Sequence, residues 1–67
     1  MNDKGTATVL KSIADVYSDA SRRYLDQAKG LRNSGNHEDG YRMERYAAEN
    51  QAYADAFNDA AGECTSK

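Results

Sequence analysis

The sequence predicts an all-α protein: an antiparallel two-helix hairpin that assembles as a homodimeric four-helix bundle or a higher helical oligomer. Three observations predict it. Apolar residues recur at helical spacing in two stretches, one strong turn signal (Asn33-Ser34-Gly35-Asn36) separates them, and large apolar side chains are too few for a monomer. Hydrophobic residues make up 39% of the 67, yet eleven of them are alanine, five are tyrosine, and Val, Leu, Ile and Phe together number only seven. The net charge of −2 lacks the self-repulsion typical of disordered chains. The shortage of bulk therefore reads as a requirement for a second copy, since chains this small often need a metal, disulfides or a partner subunit to fold stably. One helical-hairpin domain is expected over 1–67, with a helix at about 7–33, a turn at 33–36, a helix at about 37–61, and polar tails at 1–5 and 62–67.

In the first helix, Leu10, Tyr17, Tyr24 and Leu31 recur every seven residues, with Ile13, Ala20 and Gln27 interleaved. Val9 and Val16 extend this face on one flank, Ala14 and Ala28 on the other. An apolar face that wide contacts more than one neighbour. Thr6 or Thr8 is the expected N-cap, and Gly35 the stop.

The second helix is more regular. Met43, Tyr46, Asn50, Tyr53, Phe57 and Ala60 step by 3, 4, 3, 4 and 3, the spacing of a coiled-coil stripe, flanked by the small column Ala47, Ala54 and Ala61. Asn36 is the expected N-cap, with Glu38 and Asp39 in the first turn where the helix dipole favours acids.

A turn this short makes the helices antiparallel, so residue i lies opposite roughly residue 68 − i. Tyr17 then approaches Asn50 and Tyr53, and Tyr24 approaches Met43 and Tyr46. The expected oligomer core is Leu10, Ile13, Tyr17, Tyr24, Met43, Tyr46, Asn50, Tyr53 and Phe57. Asn50, polar at a central position of that stripe, reads as a register-fixing residue with the Tyr17 hydroxyl as its partner.

Several function classes are disfavoured. The longest apolar run is three residues, far short of the ~20 a membrane-spanning helix needs. The first residues lack the layout of a secretory signal, and Cys64 is the only cysteine, which together point to a reducing, cytoplasmic setting in which Cys64 is a free thiol. His37 is the only histidine, so no transition-metal site is expected within one chain. No nucleophilic triad and no phosphate-cradling loop is legible, and the carboxylate pairs Asp15/Asp19 and Asp55/Asp59 read as solvated helix faces. A non-enzyme without a cofactor is the expectation.

Charge is polarised along the hairpin. Residues 20–46 carry six cations against four acids, a net of +2, whereas the remaining residues carry three against seven, a net of −4. The turn end is thus basic, and the run Tyr41-Arg42-Met43-Glu44-Arg45-Tyr46 adds aromatic rings to it. Arginine and tyrosine are enriched at binding hot spots. The expected binding residues are Arg22, Arg23, Leu25, Arg32, Tyr41, Arg42 and Arg45.

These features favour a small interaction protein of the inhibitor or adaptor type, in the manner of phage and mobile-element accessory proteins, that binds another protein through its turn end. Two alternatives are an oligomeric sponge for an anionic nucleotide and a purely structural bundle. A pI of about 5.2 disfavours nucleic acid as partner. In architecture, length and acidity the expected assembly is similar to the Rop-type plasmid copy-number proteins, which clasp RNA, but no motif is shared and no residue role carries over.

Overall fold

The computed structural model describes residues 3–65 and shows two helices, α1 (Lys4–Asn33) and α2 (His37–Thr65), packed side by side as an antiparallel hairpin. The molecule is a rod of 51 × 13 × 9 Å with a radius of gyration of 15.3 Å. A compact chain of this length would have a radius of about 11 Å.

The turn follows from one glycine. Gly35 has φ of +88°, the left-handed region that a side chain would strain. It lets the chain reverse while the Gly35 N–H donates to the Arg32 carbonyl at 3.0 Å and the Asn36 N–H to the Leu31 carbonyl at 2.8 Å. Two carbonyls orphaned at the end of α1 are thereby satisfied. Asn36 then opens α2, its side-chain oxygen accepting from the Asp39 N–H at 3.4 Å while its amide donates to the Asp39 carboxylate at 2.8 Å.

Both helices are longer than the sequence suggests. α1 begins at Lys4, capped by Asp3 rather than by Thr6 or Thr8: the Asp3 carboxylate accepts from the Thr6 N–H at 3.0 Å and from the Thr6 hydroxyl at 2.6 Å. α2 runs through Gly62 to Thr65, so Lys4, Gly5 and residues 62–65 are helical, not tail, while residues 1, 2, 66 and 67 of the expected tails lie outside the described residues. The two far ends are tied together, the Asp3 N–H donating to the Cys64 carbonyl at 2.8 Å. Helix propagation adds a hydrogen bond for each residue fixed, which outweighs the roughly 1 kcal/mol disfavour of a single glycine.

The seam between the helices is built from small residues. Ala7, Ala14, Ser21 and Ala28 of α1 and Gly40, Ala47, Ala54 and Ala61 of α2 are the buried residues, each set repeating every seven positions. Matching members sum to 68, the register that the short turn imposes. A period of seven keeps each column on the seam as the helices supercoil, and small side chains let the backbones approach closely.

The large apolar residues expected in the core lie beside this seam. Leu10, Ile13, Tyr17, Tyr24, Met43, Asn50 and Phe57 are half-buried, and Tyr46 and Tyr53 are exposed at 41% and 53%. No large side chain is fully buried among the described residues. The reason is geometric: with alanine-sized contacts the helices sit too close for a tyrosine between them, so bulk is displaced to the flank. Asn50 does not bond Tyr17; its amide donates to the Tyr46 carbonyl of its own helix at 2.8 Å.

Candidate functional sites: an aromatic face and a basic turn end

Heptad position divides the hairpin into two unlike faces. Residues three after each seam position, Leu10, Tyr17, Tyr24 and Leu31 in α1 and Met43, Asn50, Phe57 and Cys64 in α2, flank the seam on one side. Tyr46, Tyr53 and Ala60 lie just outside them. Three ring contacts cross this side: Tyr17 with Tyr53 at 5.3 Å, Tyr17 stacked on Phe57 at 5.7 Å, and Tyr24 with Tyr46 at 5.5 Å. Such aromatic pairs add roughly 0.5–1.5 kcal/mol beyond their buried area. The rings roof one side of the alanine seam and present their outer edges to solvent.

Residues four after each seam position form the opposite, polar face: Lys11, Ser18, Leu25 and Arg32 against Glu44, Gln51, Asn58 and Thr65. One bidentate pair spans it, Arg32 Nε to Glu44 Oε2 at 2.8 Å and Arg32 Nη2 to Glu44 Oε1 at 2.7 Å. The hydrogen bonds from Arg32 hold the Glu44 carboxyl below the ordinary carboxylate range. The same hydrogen bonds, with the Glu44 charge, raise the guanidinium further. Asp3 is likewise lowered, first by the Thr6 hydroxyl and then by the Thr6 N–H.

No protein-family model, curated protein or solved structure matches this chain.

The seven expected binding residues cluster at the turn half but do not share one face. Leu25, 45% exposed, and Arg32 lie on the polar face, with Arg22 and Tyr41, 59% exposed, at its edges. Arg23 lies on the outer aromatic-side flank of α1, beside a shallow depression formed with Val16, Asp19, Ala20, Tyr24 and Gln27. Arg42 and Arg45 lie on the outer surface of α2, in a shallow open cleft with Tyr46 and Glu49.

Their pairing differs as well. Arg32 is engaged by Glu44, Arg22 meets Asp19 at 3.2 Å, and Arg42 meets Asp39 at 3.6 Å, the last two being exposed one-turn pairs. Exposed pairs of this kind are worth only a few tenths of a kcal/mol, so their arginines exchange partners readily. Arg23 and Arg45 carry no ion pair among the described residues. Arg32, by contrast, is committed to holding α1 and α2 together.

The aromatic face was legible in the sequence only as a core. Its exposure follows from the alanine and serine heptad, whose small residues carry little weight in any hydrophobic pattern. Among the described residues, no group of three or more His, Cys, Asp or Glu could hold a metal ion, and no helix is long and apolar enough to cross a membrane.

Proposed function

We propose that this protein is a non-enzymatic interaction protein that works as a homodimeric four-helix bundle and binds an acidic surface of another protein through its basic turn end. The observation that carries the reading is the half-exposed aromatic face. The hairpin leaves 4889 Å² accessible, whereas a compact chain of 7.4 kDa exposes about 4,200 Å². Buried alanine methyls contribute far less than the roughly 1.5–3 kcal/mol of a fully buried leucine or phenylalanine. A second hairpin laid on the aromatic face completes the core that one hairpin lacks.

With that face covered, the turn half is left with Arg45 and Tyr41 outward and with Arg22 and Arg42 only loosely paired. A cationic, ring-bearing end on an otherwise acidic protein steers it toward acidic surfaces in one orientation. Arg42 and Arg45, on the outer surface of α2 beside Glu49, favour such a surface over an enclosed nucleotide, because Glu49 offsets one of the two cations.

Two measurements test the reading. Sedimentation equilibrium should give twice the chain mass, and a monomer at all concentrations would remove the bundle. Retention of the protein on immobilised poly-glutamate at low salt should be lost in the Arg42→Glu/Arg45→Glu variant with its helical circular dichroism intact. Equal retention of the variant would remove the turn end as the contact.

A further inference from the structure

Two hairpins meeting aromatic face to aromatic face can be related by a two-fold axis in only two ways that keep the long axes aligned. The axis runs along the helices, which puts both turns at one end, or across them, which puts the turn of each hairpin over the chain ends of the other. Both arrangements make every neighbouring helix pair antiparallel, and both cover the same rings. Packing alone does not choose between them.

Charge does. The turn half carries +2 and the remaining residues −4. With the turns together, like stacks on like at both ends of the rod. With the turns apart, each basic half lies over an acidic one. Like charges brought together across an interface are a strong discriminator of arrangement even where opposite charges add little affinity.

One heptad column sharpens the choice. Arg42, Glu49, Ala56 and Glu63 share the outer aromatic-side flank of α2. When the turns are apart, α2 lies antiparallel to α2 of the partner, and that column meets its own reverse. The column's one cation, at the turn end, is thereby carried toward the chain-end half of the second copy's column, which ends on an acid.

We infer that the second copy docks on the Tyr17–Tyr53–Phe57 face head to tail, so that the assembled rod carries one basic turn end at each pole. The inference rests on the dimer reading above and adds its orientation. Its consequence is bivalency: a rod about 51 Å long with an identical acidic-surface-binding end at each pole bridges two partner molecules instead of clamping one.

The test is the distance between spin labels in the dimer, read by pulsed dipolar spectroscopy. One sample is labelled at the native Cys64, and a second at Ser34→Cys in a Cys64→Ser background, which places the label in the exposed turn. Head-to-tail packing centred on α2 predicts about 40 Å for Cys64, from the 1.5 Å helical rise, and close to the 51 Å rod length for Ser34→Cys. Distances under about 20 Å at both sites, or both distances together, would overturn the orientation while leaving the dimer intact. A chain mass of one copy, with no dipolar signal, would overturn the dimer itself.

Discussion

Gly40 sits so close to Arg32 that a β-carbon on it would stand 2.8 Å from Arg32 Cγ and 3.3 Å from the Ala28 carbonyl oxygen. The first contact is with the stem of an arginine held in place by Glu44, and the second is with backbone, so neither gives way readily. Just after its turn the hairpin leaves no room for a β-carbon at this position.

Replacing Gly40 with alanine should therefore destabilise the protein by about 1–2 kcal/mol, although alanine is the better helix former by about 1 kcal/mol. Gly30→Ala and Gly62→Ala, where a β-carbon would meet nothing within 4 Å, should stabilise by roughly 0.5–1 kcal/mol. Thermal melts followed by circular dichroism separate the three. A Gly40→Ala protein that melts above the parent would show that the helices do not approach this closely.

The alanine seam makes a second prediction. Ala54 is 0% exposed, and a leucine there must push the helices apart. Ala54→Leu should cost about 1–3 kcal/mol or more in urea unfolding, whereas Ala52→Leu, on the exposed side of α2, should stay within about 0.5 kcal/mol. If instead the leucine at 54 stabilises, the seam is not the close contact between the helices.

The third concerns pH. Asp3 and Glu44 both have folded-state values below the ordinary carboxylate range. A group lowered on folding contributes stability above its unfolded value and loses it as pH falls through its folded value. Stability should hold near neutrality and decline below about pH 5. The upward shift of Arg32 acts only in strong alkali and leaves this window untouched. Both carboxylates are solvent-accessible, so the decline should be gradual. Part of it should vanish in Glu44→Gln and part in Asp3→Asn, which thermal melts across the acid range would show; an undiminished decline in both would place its origin elsewhere.

The parts of this fold legible in the sequence are those decided locally. Gly35 marks the reversal because a positive φ is a property of one residue, and Asn36 marks the start of α2 because a cap is closed by its own side chain. The 68 − i pairing follows from those two, since a short turn leaves only one register. The helix ends at Lys4 and Thr65 were not legible, because Gly5 and Gly62 signal breaks by local preference. What overrides them is the Asp3 cap and the Asp3–Cys64 bond between the two far ends of the hairpin, a contact between residues distant in the chain.

The seam shows the same division more sharply. Every heptad column in these helices repeats with one period, so the sequence by itself determined that two helices pair and in what register, but not which column lies between them. Tyr17, Tyr24 and Phe57 have the larger transfer energy, while Ala14, Ser21 and Ala47 allow the shorter distance between backbones. Only the tertiary structure decided for the second set. Close approach of two backbones is a property of both helices at once, and it moved the rings from the middle of the hairpin to its surface.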